Sequence, residues 1–377
     1  MYYFDHSATS YPKPACVKQA VYESMDLYGN AGRGSYPLSL AAARLLYQTR
    51  ETCLRFFHAP KGSYAILTHG ATQSLNIVIK GLFKQGDHVI TTQSEHNAVL
   101  RPSYDVESNG VRISYLPVDE QGVVQIDRLE SMIEKHTKAL LCCHASNVTG
   151  NVIDLKKVHH ICQKHGILLI VDAAQSAGHY PINMEEDGID ILCFSGHKGL
   201  YGPAGSGGII LRKDDGITPL LHGGSGFDSY AKTQPEHLPE RLEAGTMPIP
   251  AIAGMKAGIE YVEALGVAAI HKKEMALSRQ FYEGIRELPG IRIVGDMATS
   301  QRCALVSFSL DEIPSATLCD ILANDYDIAV RGGAHCAPLL HQALGSERYG
   351  LTRFSFGYHT TSEEVDTAIK ALWEIVE

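Results

Sequence analysis

Between residues 64 and 212 short apolar runs recur, each followed by a polar or glycine-rich turn and then by a helical pattern. The runs are Tyr64–Thr68, His88–Thr92, Ala139–Cys143, Ile167–Val171, Ile189–Phe194 and Gly208–Leu211. Continuous apolarity, rather than alternation, means strands covered on both faces, as in a parallel or mixed sheet between helical layers. One linking helix can be tested directly. After Thr72, the positions Leu75, Val78, Ile79 and Leu82 keep the i, i+3, i+4, i+7 stripe, and Gly81 and Gly86 mark its end. The pattern predicts an α/β architecture.

The segment from Pro219 to Pro250, rich in Gly, Pro, His and charge, breaks this grammar and reads as a long excursion. A helix over about 251–265 then leads to a second region with strands at Cys303–Leu310 and Leu351–His359. A final helix follows, in which Thr361 and Glu364 form a capping box and Ile369, Leu372, Trp373 and Val376 supply the apolar stripe. A chain of 377 residues suits about two domains. The expected division is a large domain over 15–260 and a smaller C-terminal domain over 261–377, joined by 1–14. With 45% hydrophobic and 20% charged residues, the chain has ample core and is not expected to be disordered.

The net charge of −9, with no Lys/Arg run, argues against nucleic acid. No stretch approaches the roughly 18 apolar residues of a membrane span. The nine cysteines are odd in number and contain no C-x-x-C pair, so they read as reduced, mostly buried thiols of a cytoplasmic protein, and no metal site is expected.

In open α/β sheets ligands collect beyond the carboxyl ends of the strands. Thr68-His69-Gly70-Ala71-Thr72 runs from a strand end into a helix start, where small residues and free N–H groups suit a phosphate; a plain N-cap by Thr72 is the alternative. Asp172 directly follows the apolar run ending at Val171, placed to hold a proton on a cofactor ring nitrogen or simply to cap a helix. Lys198 follows the run ending at Phe194, among small residues. A buried lysine is an amine nucleophile toward an aldehyde, whereas most lysines are solvated surface charges. Pyridoxal phosphate needs a Schiff-base lysine, an acidic partner for its pyridinium nitrogen and a phosphate cradle, and the chain offers these at successive strand ends.

With these motifs the chain resembles the cysteine desulfurase and selenocysteine lyase family of class-V, fold-type I aminotransferase-like enzymes. The likeness runs nearly end to end: Tyr3-Phe4-Asp5-His6-Ser7-Ala8-Thr9, Gly70-Ala71-Thr72, Glu95-His96, Ser146-Asn147, Asp172-Ala173-Ala174-Gln175, Ser195-Gly196-His197-Lys198, Glu243-Ala244-Gly245-Thr246 and Arg331-Gly332-Gly333-Ala334-His335-Cys336-Ala337-Pro338. It implies a large domain with a mixed, mostly parallel sheet flanked by helices, and a smaller α+β C-terminal domain.

The resemblance implies that Lys198 carries pyridoxal phosphate, that Asp172 binds the pyridinium nitrogen and that Gln175 bonds the ring hydroxyl oxygen. Ala71, Thr72, Ser195 and His197 would hold the phosphate, and His96 would stack on the ring and serve in proton transfer. Thr246 would reach the phosphate from the partner subunit, which implies a homodimer. Asn147 would contact substrate or cofactor, with a turn residue as the alternative. Along Thr352-Arg353-Phe354-Ser355-Phe356 the strand alternation sends Arg353 away from the two aromatic rings and into the interdomain cleft. There its guanidinium would clamp the α-carboxylate of an amino acid; an exposed arginine on an edge strand is the alternative. Arg33 is a second candidate for that cleft.

Cys336 follows Arg331 and His335 in a glycine-containing loop, expected to be a mobile and electropositive setting of the kind that favours a thiolate. In the family the cysteine of such a loop accepts the sulfur. The implied reaction converts L-cysteine to L-alanine and leaves a persulfide on Cys336, for transfer to an acceptor protein or small thiol. The short loop resembles the group-II, sulfur-mobilising enzymes, although Ala334 replaces their second histidine and 224–246 is shorter. Two other readings stand beside it: a lyase for selenocysteine or another β-substituted amino acid, and a non-catalytic protein that binds pyridoxal phosphate and relays sulfur.

Overall fold

The computed structural model describes residues 1–32, 34–311 and 313–377. The strands are β1 (Tyr2–Tyr3), β2 (Tyr64–Thr68), β3 (His88–Thr92), β4 (Arg112–Leu116), β5 (Thr137–Cys143), β6 (Leu168–Asp172), β7 (Ile191–Ser195), β8 (Gly207–Leu211), β9 (Ile291–Val294), β10 (Leu305–Leu310), β11 (Ile328–Ala329), β12 (Arg331–Gly333) and β13 (Leu351–Ser355). The helices are α1 (Ala15–Leu27), α2 (Pro37–Phe56), α3 (Ala71–Leu82), α4 (Asn97–Ser108), α5 (Leu129–Met132), α6 (Leu155–His165), α7 (Ile249–Leu265), α8 (Val267–Ile285), α9 (Ser315–Tyr326), α10 (Pro338–Leu344) and α11 (Ser362–Val376).

The apolar runs of the first half become one seven-stranded sheet in the order β2-β8-β7-β6-β5-β3-β4. Its pairings are parallel except where β8 meets β2 and β7, so β8 alone runs against the rest. Both faces are covered. Leu140, Leu169, Val171, Leu192 and Phe194 pack on one side with residues of α2, α6 and α7. Ala139, Leu141, Ile170, Ile191 and Cys193 pack on the other with residues of α3 and α4. Two-sided burial is why the strands read as unbroken apolar runs.

The excursion expected over 219–250 spans 212–248, without helix or strand, because β8 ends at Leu211 and α7 begins at Ile249. A second, four-stranded antiparallel sheet follows, ordered β12-β13-β10-β9. Its core gathers Phe281 of α8, Phe308, Phe354, Phe356 and Leu372 of α11, with Phe281 and Phe354 stacked at 4.4 Å. Truncating either of these two rings to alanine removes about 3–5 kcal/mol of stability. The capping box of α11 is present, with Thr361 accepting from the Glu364 N–H and Glu364 accepting from the Thr361 N–H.

The strand read as reaching His359 stops at Ser355, and the one read from Cys303 starts at Leu305. Cys303 donates its N–H to Gly150 O, away from the sheet, while one further in-register bond, Phe356 N–H to Ala304 O, closes the ladder there. The chain start reaches this second sheet through a separate two-stranded sheet and one bridge from Asp5 to Ser355. β1 pairs with β11, Phe4 enters the aromatic core, and Ser355 N–H donates to Phe4 O at 2.7 Å. That placement brings the following residues, Asp5 to Lys13, between the two sheets.

Candidate active site

β5, β6 and β7 end side by side, at Cys143, Asp172 and Ser195. Beyond them Ser94, His96, Cys143, Ala145, Asn147, Asp172, Ala174, Gln175 and Lys198 line one cleft. The turn carrying Lys198 is fixed by its own backbone: Tyr201 N–H donates to Lys198 O and Gly202 N–H to Gly196 O. A side chain at Gly199 would collide with the carbonyl of Ala177, so the turn packs backbone to backbone on the loop after β6. The N-terminal segment buttresses it from the other side, since Ser10 N–H, Thr9 Oγ1 and Lys13 Nζ all donate to His197 O.

Burial lowers the Lys198 ammonium to about 8, with Asp172 pulling the other way. Asp172 is raised, chiefly by burial; the Ala174 N–H and Lys198 oppose the shift. One Asp172 oxygen accepts from that N–H, and the other has no hydrogen-bond partner among the described residues. His96 caps α4, its Nδ1 accepting from Ala98 N–H at 2.9 Å. Burial, then Lys198, Arg353 and Arg101, lower it to about 4. The ring is therefore neutral at pH 7, with its proton on Nε2. Gln175 donates to Ser7 O.

At the start of α3 the expected cap moves by two residues. Gly70 occupies the cap position at φ 140, where it leaves Thr72 inside the first turn and exposed, its hydroxyl unbonded. Ala71 N–H donates to Ser195 Oγ at 3.0 Å, which brings Ala71, Thr72 and Ser195 together beside His197. His197 Nδ1 lies 3.2 Å from Thr9 Oγ1. Thr246 stands apart from the Lys198 cleft of its own chain. It is exposed and lines a different groove with His69 and Gln73. Arg33 lies outside the described residues.

Arg353 is not an exposed edge residue. β13 is an inner strand and the side chain is 2% exposed. Its Nη1 donates to Asn147 O at 2.9 Å and its Nη2 to Asp5 Oδ1 at 3.1 Å, while Nε is buried without a partner among the described residues. Asp5 also takes Arg331 in a two-oxygen pair, with Nη2–Oδ2 at 2.7 Å. The expected electropositive setting of Cys336 is weaker than the loop's residue types suggest. Arg331 is ion-paired with Asp5, which it shares with Arg353, and burial lowers His335 to about 3, which leaves its ring uncharged.

The loop is not loose either. His335 O accepts from Asn147 Nδ2 and Cys336 O from Asn97 N–H, both at 2.6 Å. His335 and Cys336 both adopt left-handed backbone, φ 48 and 57, which is costly for residues with side chains and persists where surroundings enforce it. The result is an exposed Cys336 side chain on a pinned backbone, one residue from the turn that carries His96.

Three contributors escape a reading by strand and helix pattern. Asp5 sits after a two-residue strand too short to show periodicity. Asn97 acts through its backbone, for which side-chain identity gives no signal. Glu95 was visible only as the neighbour of His96. It is fully buried, accepts from Thr92 Oγ1 and Cys143 N–H, and burial pushes it up to about 8.

The class-V aminotransferase family model matches residues 2–368. A probable cysteine desulfurase of Methanothermobacter thermautotrophicus is 33% identical, the alignment covering 99% of this chain and 94% of that protein. The apo cysteine desulfurase of Thermococcus onnurineus superposes with a TM-score of 0.90 at 33% identity, over 99% of this chain and 94% of that one. The Escherichia coli cysteine desulfurase CsdA, in its S-sulfonic acid form, does so with 0.87 at 28% identity, over 100% and 95%.

Proposed function

The chain belongs to the class-V aminotransferase family, among its cysteine desulfurases, and we propose that it takes sulfur from L-cysteine as a persulfide on Cys336 and releases L-alanine. One observation carries this reading: Lys198 and Asp172 share a cleft with Asn147, the residue that ties down the Cys336 loop.

The cleft fits pyridoxal phosphate. A lysine of lowered pKa and a buried carboxylate line one cleft, and Ala174 N–H takes only one oxygen of that carboxylate. Lys198 would hold the cofactor covalently, Asp172 its ring nitrogen, Gln175 its ring hydroxyl oxygen and His96 its ring face. Ala71, Thr72, Ser195 and His197 would hold the phosphate, joined by the partner subunit's Thr246. Bound there, the cofactor supplies an electron sink for the charge left when Cα loses its proton.

The chain's own groups do the rest. Arg353, with its buried Nε–H unpartnered, clamps the substrate carboxylate. The Lys198 amine, held near 8, is a base of suitable strength to remove the Cα proton close to neutral pH. The Cys336 thiolate attacks the substrate sulfur. An S–S bond forms, the C–S bond breaks with its electron pair passing to the carbon skeleton, and protonation yields L-alanine. The persulfide then passes to an acceptor protein or a small thiol.

A homodimer belongs to this reading, supported by the surface position of Thr246 and by the exposed apolar residues Tyr22, Met25, Tyr36, Leu38 and Tyr47 on α1, α2 and the turn between them. So does the division into 15–260, which holds Lys198, and 261–377 with 1–14, which holds Arg353 and Cys336. No helix among the described residues is long and apolar enough to cross a membrane. We place the protein in the cytoplasm, in keeping with its nine free cysteines.

The test is to load the protein with pyridoxal phosphate, supply L-cysteine and a reducing thiol, and measure alanine and sulfide for the wild type and Cys336→Ala. Both products are expected from the wild type and neither at a comparable rate from the variant. Undiminished alanine from Cys336→Ala overturns the persulfide step. Turnover of selenocysteine with none of cysteine would replace this reading by the lyase.

A further inference from the structure

Two arginines meet one carboxylate at the substrate end of the cleft. Asp5 accepts from Arg353 Nη2 through Oδ1, and from Arg331 Nε and Nη2 mainly through Oδ2. Arg353 is buried, Asp5 is 7% exposed and Arg331 is largely open to solvent. The other ionisable groups nearby add little charge. His335 and His96 are held neutral by burial, and Lys198 is matched by Asp172. The triad therefore carries one net positive charge, while the Arg353 Nε–H stays buried and unpartnered.

That arrangement is costly unless something answers it. A buried guanidinium with an unmet donor loses hydration that only a further acceptor restores. An incoming carboxylate supplies the acceptor and cancels the remaining charge. A second anionic group on the same ligand would find no uncancelled cation.

We propose that Asp5 is a positioning residue that sets the charge specificity of the Arg353 clamp: by bridging Arg331 and Arg353 it fixes the guanidinium and leaves the cleft matched to an amino acid with one carboxylate and an uncharged side chain. The proposal rests on Arg353 being the carboxylate clamp. Asp5 is a poor choice for a merely structural link, because the chain start is already held by β1, Phe4 and Ser7, whose N–H donates to Ser355 Oγ. Its carboxylate is instead spent on the two cations. Asp5→Asn keeps the shape and one acceptor oxygen but leaves the cleft with two net positive charges. Arg331→Gln leaves none, and the double variant restores one.

Binding of L-alanine and L-aspartate, neither of which carries a leaving sulfur, is measured by titration calorimetry on the pyridoxal-phosphate holoenzyme, with the melting temperature followed in parallel. Asp5→Asn is expected to move the alanine-to-aspartate affinity ratio about tenfold toward aspartate, a modest shift because Arg331 is solvent-screened. Arg331→Gln should weaken both ligands. The double variant should return to within about threefold of the wild-type ratio, although it has lost both members of the ion pair, a recovery that a structural role for Asp5 does not produce. A wild-type ratio in Asp5→Asn, or a double variant no closer to wild type than Asp5→Asn, overturns the proposal. Should Asp5→Asn fail to fold, unchanged alanine affinity in Arg331→Gln overturns it equally. Because the readout is binding, wild-type protein that forms no sulfide from cysteine refutes the desulfurase reading alone.

Discussion

Lys198 and Cys336 stand on different sheets and are held by different means. Lys198 follows β7, in a turn packed backbone to backbone against the loop after β6 and braced by Ser10 and Lys13. Around it, Asp172, Glu95 and His96 all have their proton affinities moved by burial first; hydrogen bonds come next for Asp172 and Glu95, and the charge of Lys198 for His96. Cys336 follows β12 with its side chain in solvent, and only its backbone is fastened, through Asn97 and Asn147. Proton chemistry calls for displaced pKa values, which burial provides. A thiol that must hand sulfur to another molecule has to stay reachable, so the chain fixes its backbone and leaves its side chain open.

Several substitutions separate these two devices. Replacing Lys198 with Ala should reduce alanine formation by about 10³-fold or more and abolish covalent retention of the cofactor. The check is borohydride reduction followed by peptide mapping; a label on any other lysine breaks the assignment of the cleft. Glu95→Gln tests the burial side on stability. Folded Glu95 keeps its proton up to about pH 8, whereas the unfolded chain loses it near 4.5. Between those values the folded state binds more protons, so stability falls as pH rises. The variant, neutral throughout, should gain up to about 4–5 kcal/mol relative to wild type at pH 8–9 and little at pH 4. Denaturant melts at both pH values read the difference, and an equal change at each would mean that burial does not hold that proton.

The smallest effect is expected at the loop. Asn147→Ala removes the side-chain bond to His335 O and leaves the carbonyl that serves Arg353. Persulfide formation should slow about tenfold, the worth of one hydrogen bond of ordinary strength, with the cofactor spectrum unchanged. A changed spectrum with unchanged persulfide formation would place Asn147 with the floor of the cleft and not with the loop.

The strand-end residues Asp172, Ser195 and Lys198 were legible because a continuous apolar run fixes where a strand stops, and ligands gather there. Arg353 was legible in direction, since alternation turns it away from Phe354 and Phe356, but its depth was not. An inner position in the sheet depends on β12 and β10 arriving on either side, and those strands pair through contacts far apart in sequence. The charge around Cys336 was overestimated for the same reason. Arg331 and His335 are local neighbours, while Asp5, which offsets part of the arginine charge, and the core that keeps His335 neutral come from elsewhere in the chain.

By itself the sequence determined the α/β layering, the existence of an excursion, read over 219–250, the capped last helix and the residue types at the cleft. Each of these rests on spacing within a few turns or one strand, which local sterics and the burial of an apolar face decide. Only the tertiary structure decided that Asp5 meets Arg353 across 348 positions, that the Cys336 loop docks on Asn97 and Asn147, and that Glu95, His96 and His335 are uncharged at pH 7. Proton affinity depends on how much water the surrounding atoms exclude, and those atoms come from distant parts of the chain.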